Sequence, residues 1–295
     1  MRVLIPIDFS PSSDAVVQEA ETRPWPPRTE VALLHVVDIV GIGGGWVDLG
    51  PRIERQTEQA AKLLKGAAER LREKGLKVST EVVVDHPANC IPKYAQEHHA
   101  DLILIGPQGQ SALLRFLMGS VAKSVLRNAP CSVEVVRPCR NDNTTRGTFK
   151  VLLATDGSAC SHAALAWAAA ATWPKNSEFR VITCAESVPL PIEPWVWYAD
   201  PNVMEELQTS IKNAATVELD SARKVLQRAG LEASGAVIHI DPKSGILDEA
   251  EGWGADLIVL GSHGRRGLDR LLLGSVAEAV ALHSKCSVAV IRSIR

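Results

Sequence analysis

Short, unbroken apolar runs punctuate the chain: VLIPI from Val3, VALLHVV from Val31, LILI from Leu102 and SVEVV from Ser132. Each is followed by a stretch in which polar and apolar positions mix at helical spacing. Apolar runs of roughly four to eight residues separated by helices mark a parallel sheet covered on both faces, because a strand with one wet face alternates instead. The pattern predicts strands at Arg2–Ile7, Val31–Val37, Leu76–Val84, Leu102–Ile105 and Ser132–Val136. A helix is expected from Ser10-Pro11, where a hydroxyl at the N-cap precedes a proline in the first turn. Others are expected from Arg52 to Lys74 with a stop at Gly75, from Pro87 to His99, and from Ser120 to Asn128.

The same pattern is written twice. VLIPIDFSPSSDAV from Val3 aligns with VLLATDGSACSHAA from Val151, an offset of 148 residues that also carries EVALLHVVD onto EFRVITCAE. Farther on the offset is 155: GLKVSTEVVVDHP matches GLEASGAVIHIDP, ADLILIG matches ADLIVLG, and CSVEVVR matches CSVAVIR. The second copy therefore gains seven residues between Glu186 and its GLE segment. Between the copies lies RPCRNDNTTRGTF, polar and punctuated as linkers are. Two α/β domains follow, 1–138 and 149–295, each an open five-stranded parallel sheet with helices on both faces. The fifth strands, Ser132–Val136 and Ser287–Ile291, read as apolar edges with little charge to discourage pairing.

A glycine pattern recurs at one place in each copy: GPQGQSALLRFLMGS from Gly106 and GSHGRRGLDRLLLGS from Gly261. Gly106 and Gly261 follow the fourth strands, and Gly119-Ser120 and Gly274-Ser275 open the next helices. All of them therefore sit at the carboxyl edge of the sheet, where open parallel sheets bind ligands. Backbone amides leading into a helix N-terminus, with a hydroxyl beside them, suit an anion such as phosphate. The glycines are expected to let its oxygens approach the main chain; the alternative is that they merely form turns.

Composition narrows the function class. A 46% hydrophobic content supplies two cores, and a net charge of −2 gives no reason to expect nucleic acid or an anionic membrane as partner. Asp8 interrupts the first apolar run too early for a leader, and no later run spans a bilayer, so a cytoplasmic protein is expected. Six cysteines without a CxxC pair suggest neither zinc nor a disulfide framework. Cys160 stands out only for its place near a helix start. His98 and His99 are adjacent and point in different directions, as a solvated pair does. No Walker lysine, nucleophile elbow or acid–base pair accompanies the glycines, and His263 corresponds to Gln108, which excludes a shared catalytic histidine.

With IPIDFS and ATDGS at the first strands, LLHVVD at the second, and G-x2-G-x9-G-S in both copies, the chain resembles the universal stress protein family over nearly its whole length. The resemblance is to tandem two-domain members of the ATP-binding branch. It implies an adenine nucleotide alpha hydrolase-like sheet of order 3-2-1-4-5. It also implies that adenine lies near Pro6, Asp8 and Val36, the ribose near Gly106, and the phosphates near Gly109, Gly119, Ser120 and Val121. In the second copy the matching positions are Ala154, Asp156 and Cys184, then Gly261, then Gly264, Gly274, Ser275 and Val276, with Arg265 beside them. Ala154 and Cys184 depart from the first copy's proline and valine, but both are small. Asp8 and Asp156 also read as helix caps.

The implied ligand is ATP, ADP or AMP, with Mg2+ held by the phosphates. The implied role is stress-response regulation, with at most slow ATP hydrolysis. Single-domain relatives are expected to dimerise through the fifth strand. The two repeats should accordingly form an intramolecular pseudo-dimer, with a further homodimer open and the protein partner unspecified. The competing expectation is an interaction scaffold with vestigial pockets, acting through protein partners or another small ligand; a transferase would need a second pocket with acid and base groups. Arg265, Arg266 and Arg270, against Arg115 alone in the first copy, predict a stronger preference of the second site for ATP over AMP. GIGGGWVDLGP and VPLPIEPWVWYADP, after the second strands, are expected to cover the pockets.

Overall fold

The computed structural model describes residues 1–38, 50–109, 118–138, 147–185, 201–264 and 273–293. The first repeat runs β1 (Arg2–Pro6), α1 (Pro11–Thr22), β2 (Glu30–Val37), α2 (Gly50–Glu73), β3 (Lys77–Val84), α3 (Pro87–Glu97), β4 (Leu102–Ile105), α4 (Ser120–Asn128) and β5 (Ser132–Val135). The second runs β6 (Phe149–Thr155), α5 (Ala159–Ala170), β7 (Ser177–Cys184), α6 (Pro201–Arg228), β8 (Ala233–Ile238), α7 (Pro242–Trp253), β9 (Leu257–Gly261), α8 (Ser275–His283) and β10 (Ser287–Ile291).

Local chemistry sets the ends of these elements. The Ser10 side chain caps α1 by accepting from the Ser13 amide, and Gly75 leaves α2 in the left-handed region at φ +82°. Helix α3 stops at Glu97, two residues short of the expected His99. The His98 ring stacks on Tyr94 at 3.8 Å, and His99 turns left-handed at φ +50°. Of the expected covers, residues 41–49 and 188–200 lie outside the described residues, while Gly50-Pro51 and Pro201 already belong to α2 and α6.

Strands within each repeat are parallel, and the whole forms one ten-stranded sheet of order β3-β2-β1-β4-β5-β10-β9-β6-β7-β8. At its centre β5 and β10 pair antiparallel, with Val135 opposite Val288 and Val133 opposite Val290. On one face each repeat keeps its own core, Val16, Val17 and Leu64 in the first, Leu165, Leu219 and Leu226 in the second. On the other face a single core crosses the seam and includes Leu126, Val133, Val135, Val280, Val288 and Val290.

Two arginines at equivalent positions tie the repeats reciprocally. Arg137, just past β5, donates to the Ala281 carbonyl in the last turn of α8 at 2.6 Å. Arg292, just past β10, donates to the Leu126 and Arg127 carbonyls in the last turn of α4 at 3.1 and 3.0 Å. A cation at a helix C-terminus meets both the unpaired carbonyls and the negative end of the dipole. Burial draws the Arg137 guanidinium down to about 10. Arg127 and Glu278 add an ion pair across the same seam.

The reading of both fifth strands as apolar fails at Glu134. Its side chain is 0% exposed and stands opposite Ala289 in the central pair. Arg23, the residue that ends α1, donates to Glu134 Oε2 at 2.8 Å and to Glu19 Oε1 at 2.8 Å. Burial pulls on the Arg23 guanidinium, but the two carboxylates outweigh it and raise its pKa above the ordinary arginine value. Glu134→Ala is expected to cost about 3 kcal/mol, because it leaves a buried guanidinium with Glu19 as its one remaining carboxylate among the described residues. Arg23→Met combined with Glu134→Ala should recover most of that loss, as urea unfolding of both variants will show.

Candidate functional site

The carboxyl edge of each repeat is assembled from the end of its first strand, the loop after its fourth, and the start of its last helix. In the first repeat Asp8 Oδ1 accepts from the Ser10 amide at 3.0 Å and from the Ser13 hydroxyl at 2.7 Å. The Ser10 hydroxyl also bonds Asp8 and reaches the Gln108 carbonyl at 3.4 Å, and Gly119 N donates to the Pro107 carbonyl at 2.7 Å. The second repeat reproduces this ring. Asp156 Oδ1 accepts from the Ser158 amide at 3.0 Å, Ser158 Oγ donates to the His263 carbonyl at 3.1 Å, and Gly274 N donates to the Ser262 carbonyl at 2.8 Å. The helix caps are thus Ser10 and Ser158, not the aspartates. Asp8 and Asp156 instead hold Oδ2 toward Gly109 and Gly264, where an added Cβ would lie 2.9 and 2.7 Å from it.

Gly106 and Gly261 have a reason to be glycine besides the one expected. A Cβ at Gly106 would sit 2.7 Å from Ser12 Cβ and 3.2 Å from the Ser12 carbonyl oxygen. At Gly261 it would meet the Cys160 carbonyl carbon at 2.5 Å and the Ser161 nitrogen at 2.7 Å. The approaching group is the first helix of the same repeat, packed on the end of the fourth strand.

Helices α4 and α8 start at Gly119 and Gly274, and neither start carries a side-chain cap. The first helical bonds are made by Lys123 N to the Gly119 carbonyl and Glu278 N to the Gly274 carbonyl. The amides of Ser120 and Val121, and of Ser275 and Val276, precede those bonds and have no intrahelical partner. Their dipoles and the adjacent hydroxyls point at whatever occupies the edge of the sheet.

In the second repeat these groups border a cavity of about 550 Å3, within the range of small-molecule sites. All the expected residues that are described line it: Ala154, Asp156, Cys184, Gly261, Gly264, Gly274, Ser275 and Val276. Arg265, Arg266 and Arg270 lie outside the described residues, as does Arg115. In the first repeat, Gly109 and Gly119 converge beside Asp8, Pro6 ends β1, and Val36 lies opposite Val83 near the end of β2.

The structure adds residues that sequence reasoning missed. Ile211, Ala214 and Ala215 of α6 and Ile246 of α7 complete the cavity wall. Thr155, which also lines it, donates to Glu218 Oε1 at 2.8 Å, and the same oxygen lies 3.3 Å from His162 Nε2. Reading α6 as a helix whose apolar stripe extends past the strand ends would have found Ile211. His263 turns Nδ1 to the Ser262 hydroxyl at 3.0 Å, and burial, then Arg292, hold its pKa below the ordinary imidazole value. It is therefore neutral at pH 7 and brings no charge to the loop. Cys160 approaches the same Ser262 hydroxyl at 3.9 Å. Among the described residues, no cluster of three or more His, Cys, Asp or Glu is placed to hold a metal, and no helix is long and apolar enough to cross a membrane.

Comparison with known proteins places this geometry. The universal stress protein family profile matches residues 1–137 and 148–292. A universal stress protein of Mycobacterium tuberculosis is 27% identical over 98% of this chain and 96% of its own length. Another, from Methanocaldococcus jannaschii, is 36% identical over 46% of this chain and 81% of its own. The crystal structure of a universal stress protein from Archaeoglobus fulgidus aligns with a TM-score of 0.68 at 22% identity, covering 99% of this chain and 98% of that one, and so shares the fold. With both repeats matched, this chain belongs to the universal stress protein family.

Proposed function

We propose that the chain is a stress-response regulator that binds an adenine nucleotide in each repeat. The observation that carries this reading is the uncapped helix start at Gly274-Ser275 opening onto a cavity also lined by Ala154, Cys184 and Ile211. The helix start offers amides and a hydroxyl to phosphate, and the apolar lining offers surface to a base. Asp156, whose Oδ2 lies beside Gly264, suits a donor group of the nucleotide other than its phosphates, because a carboxylate repels phosphate. Its Oδ1 is anchored on Ser158, which fixes its direction. Asp8 is anchored in the same way in the first repeat. Mg2+ would arrive with the phosphates and be held by them. The role is binding and signalling rather than catalysis, with the two repeats acting as a fused pair.

Titration calorimetry with ATP, ADP and AMP in the presence of magnesium tests the reading, and two bound nucleotides per chain are expected. Mass spectrometry of small molecules released on denaturing the purified protein gives an independent answer. No heat with any of the three, and no adenine compound released, would sink the proposal.

A further inference from the structure

The two repeats differ at one position on the long helix after the second strand. Helices α2 and α6 align at the offset of 155: Ala60 with Ala215, Leu64 with Leu219 and Leu71 with Leu226 are all buried, and Gly75 with Gly230 ends each helix left-handed. The stripe these residues form faces the sheet. One helical turn nearer the start of each helix, four residues before the shared alanine, stand Gln56 in the first repeat and Ile211 in the second. Ile211 lines the second cavity with Ala214 and Ala215, on the helix that packs against β7. The equivalent place in the first repeat therefore holds an amide where the second holds an aliphatic side chain. Gln56 Oε1 is buried and has no hydrogen-bond partner among the described residues. A buried acceptor left without a donor is costly, and a ligand that brings the donor removes the cost.

From this orphaned acceptor, at the position that aligns with the cavity-lining Ile211, we infer that Gln56 reads the edge of the base in the first site. Its Oε1 accepts from the exocyclic amino group of adenine while its amide nitrogen donates to a ring nitrogen, a pairing that a glutamine side chain makes well. The second site, with Ile211, holds the base by apolar contact and discriminates less. The inference rests on the nucleotide reading above and makes it unequal between the repeats.

The test uses ATP and the triphosphate of purine riboside, which lacks the 6-amino group. Calorimetry is done on the full chain with the second site silenced by Gly264→Val. That protein should prefer ATP by about tenfold, the usual order for one well-placed hydrogen bond. Gln56→Leu should bring the preference close to one, chiefly by weakening ATP. Conversely, Ile211→Gln in the chain silenced at the first site by Gly109→Val should gain a preference its parent lacks. This arm does not depend on how the Gln56 variant folds. If ATP binds and its preference survives Gln56→Leu, or if Ile211→Gln gains nothing, the inference is overturned while nucleotide binding stands. If neither parent chain binds either triphosphate, both fall together.

Discussion

Lysine placed at both Val135 and Val290 is expected to split the ten-stranded sheet. Both valines lie in the antiparallel pair that joins the repeats, at 0% and 1% exposure, inside the one core that crosses the seam. An ammonium there is set among the apolar side chains of that core, and desolvating it costs about 3 kcal/mol or more at each site. For a chain of this size the melting temperature should fall by about 10 °C or more. The exposed core should bind a hydrophobic dye, and solution scattering should show a longer particle. A variant that melts and scatters like the wild type would show that the paired strands do not hold the repeats together.

The second large effect separates glycines that serve the fold from glycines that serve the site. Gly261→Ala drives a methyl group into the Cys160 backbone, which cannot turn away, so about 3 kcal/mol of stability or more should be lost without any ligand present. Among the described residues, a side chain at Gly264 meets the Oδ2 end of Asp156, which a rotation of the carboxylate can shift, rather than backbone. The stability of Gly264→Val should stay within about 1 kcal/mol of wild type, but the substitution displaces the anchored carboxylate and crowds the loop. Nucleotide affinity at the second site should drop at least about tenfold. Thermal melts without ligand and calorimetry with ATP measure the two quantities separately. Near-equal melting of Gly261→Ala and wild type, or unaltered ATP affinity in Gly264→Val, contradicts the division.

The features legible from sequence were those whose cause is local. Unbroken apolar strands, the Ser10 cap, the Gly75 stop and the doubled spacing each depend on residues a few positions apart, so period and turn chemistry expose them. Glu134 was not legible, because a carboxylate in an apolar strand makes sense only with Arg23, which is 111 residues away in sequence. Gly106 and Gly261 were recognised as necessary, but the group that makes them so is a helix turn on Ser12 or Cys160, visible only once the helix is docked. Ile211 reads as one more core residue until the strand ends are seen to fall short of it. At the edge itself, the doubled spacing brought out Gly264 and Ser275 and the family resemblance brought out Asp156, and all three line the cavity.

The exchanged arginines bear on how such a chain can be inherited. Helix α8 is closed off by a residue encoded in the first half of the gene, and α4 by one encoded in the second. A cut between the halves would leave each fragment with an arginine that has lost its helix and a helix that has lost its arginine. Separated, each fragment would have to find another copy to supply what its sister gave. Substitutions can therefore accumulate separately in the two copies, as at Gln56 and Ile211, while the crossed arginines give each copy a reason to stay with the other.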